Sequence, residues 1–359
     1  MKFRVGVLGA TGYIGTPYRR EIREAENDAT IVALCGRRRN LLEQAAAEDQ
    51  ARFVTDDWRQ VVMHPEVDLV LVCTPDALHR EAVMKCAELG KHLFCEKPVG
   101  MNVLEAQEMW NAVKTAKIAH FVPFWTRYVP AFVRAREILQ QGTIGELKAL
   151  VFRWHNPRPL NMPITWRDDA SLSSAGSVAD VGSHAYDTIR WLANSNAVRV
   201  TAQANVITPA KPDLGPINLS EALAAGNAGI QVNSRSRKGT AFDYASIAFE
   251  LANGVVGTLV VSHAPFIRKG LAPDVELHGT LGSLAVDRIR STITMARSDS
   301  DQLEVETIPD PGFGNRFSKY VFPALRSRIN GGWSEHPGME DGYLAQIFTD
   351  AAAESARSR

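Results

Sequence analysis

The first 122 residues alternate short apolar runs with stretches of helical periodicity, and this alternation constrains the fold more than any other feature. The apolar runs cover residues 5–8, 31–35, 69–73, 92–95 and 118–122. Helical patterns lie between them, as at residues 40–49, 78–89 and 103–116. Because parallel strands need long crossover connections, usually helices, residues 1–122 are predicted to form a doubly wound α/β domain with a parallel sheet.

The pattern changes beyond residue 145, where longer runs alternate apolar and polar residues. These runs cover residues 147–154, 198–206, 242–250 and 255–262. A period of two over such lengths predicts a second, largely antiparallel sheet. One helical stretch, 177–192, interrupts the runs and is expected to lie beside that sheet. The second predicted domain, again α/β, covers residues 123–359.

Two long segments carry no clear periodicity. Residues 208–240 are rich in Pro, Gly, Asn and Ser, and residues 309–336 contain scattered Gly, Pro and Arg. Both are long for plain connectors. Each segment could be an active-site lid, a subunit contact or a surface loop. A surface or oligomer role is favoured for both.

Bulk properties exclude several classes of function. A length of 359 residues suggests about two domains. Because 40 basic residues balance 40 acidic ones, neither a nucleic acid nor an anionic membrane is the expected partner. An apolar stretch near the 18 or so residues of a membrane span does not occur, and the chain enters a strand-like run at once, so a cytoplasmic protein is expected. The four cysteines show no metal-ligand spacing, so a metal site is not expected.

A glycine-rich turn follows the first apolar run. Its residues are Gly9, Ala10, Thr11, Gly12, Tyr13, Ile14 and Gly15. Glycines there let the backbone turn tightly and approach a pyrophosphate, which the next helix N-terminus stabilises. The spacing is one residue longer before the middle glycine than in the usual dinucleotide fingerprint. A simple strand-to-helix turn is the alternative, but the position after the first strand favours a dinucleotide site at Gly9, Thr11, Gly12, Tyr13, Ile14 and Gly15.

The end of the second apolar run bears on the choice of dinucleotide. It reads Gly36, Arg37, Arg38, Arg39, where an NAD-preferring site normally places an acid for the ribose hydroxyls. Gly36 leaves space, and Arg37 or Arg38 can pair with a 2′-phosphate. The sequence therefore slightly favours NADP over NAD. The alternative is a solvated arginine turn that tolerates either dinucleotide.

Further motifs together resemble the glucose-fructose oxidoreductase and inositol dehydrogenase family, written Gfo/Idh/MocA. They lie at residues 67–79, 96–98, 124–130, 142–147, 180–184 and 336–342. Their order and spacing extend over nearly the whole chain. The resemblance implies an N-terminal Rossmann domain and a C-terminal α/β domain built on an open, mostly antiparallel sheet. In the family, the exposed sheet face often forms the contact of a homodimer or homotetramer.

The resemblance also implies roles for individual residues. Thr74, Pro75, His79 and Glu96 would line the nicotinamide half of the cofactor site, and Lys97 would lie between the nicotinamide ring and the substrate. Asp76 stands where the family often has asparagine, which changes the chemistry of that contact.

Lys97, Asp180 and His184 are the predicted catalytic residues. Oxidation of a secondary alcohol needs a hydride acceptor and a base, and histidine titrates near neutrality. Asp180 precedes His184 by four residues, so on a helix the carboxylate can orient or tune the imidazole. Lys97 can stabilise developing alkoxide charge. A surface lysine, a helix cap and a core histidine are the structural alternatives, but the combination with the glycine turn favours catalysis.

Substrate contacts are predicted at Lys97, Asp180 and His184 and, by resemblance, at Arg127, Trp166 and Arg167. His155 follows Trp154 at the end of a strand expected to point toward the same pocket. A tryptophan with polar neighbours suits the apolar face and hydroxyls of a sugar. A buried tryptophan and an ion-paired loop are an equally weighted alternative.

The predicted function is therefore an NAD(P)-dependent dehydrogenase that oxidises a ring hydroxyl of a sugar, glycoside, anhydrosugar or cyclitol to a ketone. A reductase of a keto-sugar would use the same residues, and a dinucleotide-binding sensor without turnover is a third possibility. The glycine turn also resembles that of semialdehyde reductases. Those enzymes need a nucleophilic cysteine in the second domain, and the last cysteine here is Cys95.

Overall fold

A computed structural model describes residues 1–215, 217–228, 235–332 and 334–358. The predicted loops 208–240 and 309–336 therefore each include positions outside the described residues. The chain folds into two units. The first contains Met1–Pro123 with the described residues of 216–221 and 314–346, and the second contains the described residues of 124–215, 222–313 and 347–359.

The first unit contains a six-stranded sheet in which every strand pair is parallel. Its strands are β1 (Phe3–Leu8), β2 (Ala29–Cys35), β3 (Phe53–Thr55), β4 (Leu69–Val72), β5 (His92–Cys95) and β6 (His120–Phe121). The spatial order is β3-β2-β1-β4-β5-β6. Crossover helices are α1 (Gly15–Glu24), α2 (Arg39–Asp49), α3 (Trp58–Met63), α4 (His79–Glu88) and α5 (Val103–Ala116). All four residues of β4 are buried, as expected for a strand covered on both faces.

The predicted doubly wound fold is confirmed, and within this parallel sheet β3 is the strand that the sequence did not reveal. It has three residues, Phe53, Val54 and Thr55, too few to show a period. The described part of 314–346 also differs from prediction, because it belongs to the first unit rather than the second. Phe317 and Phe322 are fully buried there, and Phe322 stacks on Phe3 with ring centroids 5.4 Å apart. This part of the predicted 309–336 loop is therefore core rather than surface.

The second unit contains a mixed, mostly antiparallel eight-stranded sheet. Its strands are β7 (Leu147–His155), β8 (Ala197–Asn205), β11 (Tyr244–Leu251), β12 (Val256–Ser262), β13 (Val275–Gly279), β14 (Gly282–Asp287), β15 (Thr292–Arg297) and β16 (Leu303–Thr307). The order is β16-β15-β14-β13-β7-β12-β11-β8, and among these strands only β7 and β12 pair in parallel. A two-stranded sheet pairs β9 (Lys211–Pro212) with β10 (Ser236–Arg237).

Helices α6 (Pro130–Gln140) and α7 (Ser177–Ala193) pack on one face of the large sheet. The remaining helices are α8 (Leu219–Asn227), α9 (Phe322–Ile329) and α10 (Met339–Arg357). Strand register aligns Thr294, Ala285, Glu276, Val151, Thr258 and Ala248 in one row. Every member of this row is partly or fully exposed. The sheet is thus open on one face, as predicted.

Candidate active site

The glycine-rich turn joins β1 to α1. At two of its glycines, neighbouring backbone atoms lie where a side chain would otherwise be. Gly9 has φ of +75°, and a Cβ on it would lie 2.5 Å from the carbonyl oxygen of Cys73. A Cβ on Gly15 would lie 2.3 Å from the carbonyl oxygen of Gly9. Neither position accommodates a side chain without movement. This close backbone, followed by the N-terminus of α1, fits the pyrophosphate of a dinucleotide.

The other predicted members of the turn lie beside these glycines. Gly12 donates its N–H to the Gly9 carbonyl at 2.9 Å. Thr11 is partly buried, Tyr13 is exposed, and Ile14 is the N-cap residue of α1. Arg19, which the sequence analysis did not single out, donates from Nη1 to the Ala10 carbonyl oxygen at 3.2 Å. This buried arginine thus helps to hold the turn.

The predicted ribose-binding residues lie where β2 leads into α2. A Cβ on Gly36 would be 3.3 Å from Thr11 Oγ1, so this strand end lies close to the glycine turn. Arg37 is exposed. Arg38 is the N-cap residue of α2, and its Nη1 pairs with the Glu221 carboxylate. Glu221 was not identified from the sequence, since 183 residues separate it from Arg38.

Thr74 and His79 lie just beyond the end of β4. The Thr74 hydroxyl is buried and has no hydrogen-bond partner within the described part of the chain, so it fits a ligand contact. Pro75 precedes a 3-10 helix over Asp76–Leu78. The His79 ring is fully buried, with Nε2 2.9 Å from the Thr74 carbonyl oxygen and Nδ1 3.0 Å from that of Pro98. His79 therefore bridges the segments after β4 and β5, and burial lowers its pKa.

Glu96 and Lys97 directly follow β5. Glu96 is buried, and its Oε1 accepts a hydrogen bond of 2.7 Å from the Tyr18 hydroxyl. Its Oε2 accepts the backbone N–H of Lys97 at 3.2 Å. The Lys97–Pro98 peptide bond is cis. Glu96 therefore fixes the Lys97 backbone on one side, and His79 contacts the Pro98 carbonyl on the other.

In the second unit, the Asp180 carboxylate lies among three basic side chains. Arg167 Nη1 is 2.9 Å from Oδ1, and Arg158 Nη2 is 3.3 Å from Oδ2. His263 Nε2 is 3.2 Å from Oδ2. Burial and then Arg158 lower the pKa of His263. We name Asp180, Arg158, Arg167 and His263 the Asp180 cluster. Arg158 and His263 were not identified from the sequence, because they lie on segments far from α7.

His184 lies one turn after Asp180 on α7, within an aromatic stack. Its ring centroid is 5.5 Å from that of Trp154, with an interplanar angle of 24°, and Phe124 meets it edge-on at 5.8 Å. The Arg288 guanidinium lies 4.2 Å from the Trp154 ring centroid. The stack fixes the plane of the His184 ring, and the orienting role of Asp180 toward that ring stays a prediction.

Trp166 and Arg167 lie together in a 3-10 helix, Trp166–Asp168. Thr165 and Asp168 form a capping box at its start, and Lys211 Nζ is 2.6 Å from Asp168 Oδ1. The Arg167 guanidinium lies 4.5 Å from the centroid of the Trp166 ring. Because Arg167 also binds Asp180, the structure brings these two predicted substrate residues to the Asp180 cluster.

Two other predicted substrate residues lie elsewhere. Arg127 is buried and pairs with Asp187 through Nε at 2.7 Å and Nη2 at 2.5 Å. A bidentate buried pair gives Arg127 a structural role, and its contact with substrate stays a prediction. His155 adjoins Trp154 in β7, and successive strand residues point to opposite faces. Strand alternation therefore places His155 on the face opposite to the one on which Trp154 meets His184, and its contact with substrate stays a prediction.

In the part of the chain that the structure describes, no group of His, Cys, Asp and Glu side chains is arranged to hold a metal ion. Within the same residues, none of the helices combines the length and apolar character that crossing a bilayer requires.

The chain is similar in sequence and fold to several known proteins. It is 29% identical over 349 residues to levoglucosan dehydrogenase of Pseudarthrobacter phenanthrenivorans, covering 87% of this chain and 85% of the relative. It is 25% identical to myo-inositol 2-dehydrogenase of Thermotoga maritima, covering 99% and 97%. A solved levoglucosan dehydrogenase structure in complex with NADH and levoglucosan superposes with a TM-score of 0.80 at 24% identity, covering 99% and 97%.

Two family matches cover most of the chain. Residues 3–124 match the oxidoreductase family with an NAD-binding Rossmann fold, and residues 132–285 match the GFO/IDH/MocA C-terminal domain. The resemblance inferred from the motifs is therefore confirmed for the N-terminal Rossmann domain and for the C-terminal domain. The chain belongs to the GFO/IDH/MocA family of oxidoreductases.

Proposed function

We propose that this oxidoreductase is an NAD(P)-dependent dehydrogenase that oxidises a secondary ring hydroxyl of a sugar, glycoside, anhydrosugar or cyclitol to a ketone. Lys97, Asp180 and His184 are the proposed proton-handling residues. The observation that carries the proposal is the Asp180 cluster, which fixes a buried carboxylate one helical turn from His184. The glycine turn and the buried Thr74 hydroxyl support dinucleotide binding in the first unit.

Each proposed residue has a distinct task. When bound, the nicotinamide ring accepts the hydride from the alcohol carbon. Lys97 donates a hydrogen bond to the reacting oxygen and stabilises its developing negative charge, because an ammonium group carries three donors. His184 accepts the hydroxyl proton, because a neutral imidazole has one ring nitrogen that is an acceptor. Asp180, fixed by Arg158 and Arg167, is a hydrogen-bond acceptor that positions the substrate hydroxyl.

The substrate class is argued from the tryptophans and the relatives. Trp154 contacts both Arg288 and His184, so its proposed task is to hold the His184 ring. Trp166 is half-buried and suits the apolar face of a sugar or cyclitol ring. Relatives named levoglucosan dehydrogenase and myo-inositol 2-dehydrogenase act on an anhydrosugar and a cyclitol. A neutral ring polyol is therefore the proposed substrate.

The proposed cofactor is NAD in preference to NADP. The sequence alone favours NADP, because no acid follows β2 and arginines stand there instead. The structure adds the Glu221 carboxylate beside Arg38, which opposes a second anionic group at that point. A relative of this fold also binds NADH.

A substrate panel tests the proposed function. NAD and NADP would each be offered to the purified protein with inositols, aldoses, glycosides and anhydrosugars, and the absorbance of reduced nicotinamide would be followed. We expect reduction of NAD with at least one cyclitol or anhydrosugar. Turnover only in the reverse direction, with keto-sugars and reduced dinucleotide, would identify a reductase. Dinucleotide binding without turnover in either direction would identify a sensor and refute the dehydrogenase.

We also propose a homodimer or homotetramer formed through the open sheet face. Its exposed row combines small and β-branched residues with Glu276, which pairs with Arg153 at 2.8 Å. An open sheet face of this kind suits a self-complementary contact. Light scattering after gel filtration should give the mass of two or four chains. Val151→Glu on the row should shift the mass toward one chain, whereas a wild-type mass of one chain would refute the proposal.

A further inference from the structure

The pair between Arg38 and Glu221 is a built contact rather than a chance approach of two surface chains. Arg38 is fixed as the N-cap residue of α2, and its Nη1 contacts Glu221 Oε1. Glu221 Oε2 accepts the backbone N–H of Asn218 at 2.9 Å, and Asn218 Oδ1 accepts the N–H of Glu221 at 2.9 Å. This reciprocal pair fixes the carboxylate. Burial opposes ionisation of Glu221, but the bonds from Arg38 and Asn218 outweigh it and lower its pKa.

The position of the pair relates it to the adenosine ribose of a dinucleotide. In doubly wound folds, the residue that distinguishes NAD from NADP lies just after the second strand. Here that position carries Gly36, Arg37 and Arg38, and Gly36 packs close to Thr11 of the glycine turn. The acid that would accept from the ribose hydroxyls is missing from the local sequence. The structure supplies a carboxylate there from residue 221.

We propose that Glu221 is the residue that selects NAD over NADP. A 2′-phosphate would have to displace the carboxylate from Arg38 and would be repelled by it, whereas the uncharged 2′-hydroxyl of NAD meets neither penalty. Glu221 thus supplies from a distant segment the charge that other NAD-binding chains carry at the end of β2. The inference rests on the proposed NAD(P)-dependent function, but it concerns dinucleotide affinity and not turnover.

Dinucleotide binding by the Glu221→Gln variant tests the inference. Calorimetric titration of the full-length protein with NAD and with NADP, at one fixed ionic strength, gives both dissociation constants without a substrate. Neutralising a partly exposed carboxylate beside Arg38 should tighten NADP binding about tenfold and change NAD binding less than about threefold. An unchanged ratio of the two constants in a variant with wild-type melting temperature would overturn the inference.

Glu43→Gln is the matched control. Glu43 pairs with Arg39 at 2.7 Å on α2, the helix whose N-cap residue is Arg38, so this substitution removes one carboxylate charge nearby but leaves the Arg38–Glu221 pair intact. It should leave the NADP to NAD ratio unchanged. An effect equal to that of Glu221→Gln would show a general influence of charge and contradict a specific role for Glu221.

A double variant identifies the group that binds the phosphate. Adding Arg38→Ala to Glu221→Gln should abolish the gain in NADP affinity, because the freed guanidinium is then missing. Retention of the gain, or its loss only on Arg37→Ala, would overturn the assignment to Arg38. The titrations also distinguish failure of the proposed dehydrogenase function from failure of the Glu221 inference. If no sugar in the panel is oxidised, the ratio of NADP to NAD affinity can still be measured. If that ratio is unchanged in Glu221→Gln, the result says nothing against sugar oxidation.

Discussion

The strand ends of the first unit and the Asp180 cluster of the second are built in different ways. In the first unit, candidate residues follow the carboxyl ends of β1, β2, β4 and β5, so the parallel sheet alone brings them to one edge. In the second unit, the cluster draws on α7, the segment after β7, a 3-10 helix and the segment after β12. One region is defined mainly by its backbone, and the other by side-chain charges.

This difference sets how each region should respond to substitution. A site shaped by backbone fails when a side chain intrudes, even a methyl group. A site shaped by charges fails when one ionised side chain is removed, because the remaining buried charges then lack their partner. Lys97 follows a strand end of the first unit, but its proposed task depends on its charge. A substitution of Lys97 is therefore the most demanding test of the comparison.

Lys97→Ala should have the largest effect. Loss of the ammonium group removes the proposed charge stabilisation at the reacting oxygen, so kcat should fall about 1,000-fold. The dissociation constant for NAD should change little, because the proposed pyrophosphate site lies at the glycine turn and not at Lys97. Steady-state kinetics and calorimetric titration measure the two quantities. Lys114→Ala, at an exposed position on α5, is the control and should behave as the wild type.

Other values of kcat and of the NAD dissociation constant in Lys97→Ala would assign Lys97 a different role. Weak NAD binding with little further loss of kcat would mean that Lys97 serves the cofactor site as part of its scaffold. Unchanged kcat would remove Lys97 from catalysis altogether.

Asp180→Asn should have the next largest effect on turnover. The substitution leaves Arg158 and Arg167 without their shared carboxylate, so kcat should fall about 100-fold. Asp187→Asn is the matched comparison, since Asp187 is also buried on α7 and pairs with Arg127. It should lower the free energy of unfolding by about 3–5 kcal/mol and leave kcat near the wild-type value. Equal effects of the two variants on kcat would contradict a distinct role for the Asp180 cluster.

The features that can be predicted from the sequence divide in the same way, between backbone-defined and charge-defined regions. The sequence predicts the parallel sheet, the glycine turn and the α7 helix because each has a local signal of period or spacing. It does not reveal Arg158, His263 or Glu221, because their roles depend on which segments meet in space. A lone arginine or histidine carries no local sign of the carboxylate it will contact.

Other contacts that the sequence does not reveal have physical reasons as well. The motif around Arg127 predicts a substrate contact, but its pairing with Asp187, 60 residues away, gives no sequence signal. Adjacency groups His155 with Trp154, although adjacency in a strand places two side chains on opposite faces. Residues 314–332 lack a visible period because a π-helical turn over Phe317–Val321 runs into α9 and shifts the helical phase.

Gly9→Ala should have an intermediate effect, confined to the first unit. A methyl group at φ +75° costs about 1–2 kcal/mol in conformation, and it also meets the Cys73 carbonyl oxygen. We expect NAD affinity to fall about tenfold and unfolding to become easier. Gly90→Ala is the control, because Gly90 has φ of +66° with nothing within 4 Å of its Cβ position. Chemical denaturation should show only the conformational cost there, and a loss of NAD affinity equal to that of Gly9→Ala would contradict the steric argument.

His155→Ala should have the smallest effect and tests strand alternation directly. Burial lowers the pKa of His155, so the ring is neutral at pH 7 and its removal changes no charge. We expect kcat/KM within about twofold of the wild type and an unaltered pH profile between about pH 6 and 9. The neighbouring Trp154→Phe should lower kcat about tenfold, because it weakens the stack that holds His184. If His155→Ala instead shifted the pH profile, the active histidine would lie on the open face of β7, and the second region would extend through the sheet rather than stand on one side of it.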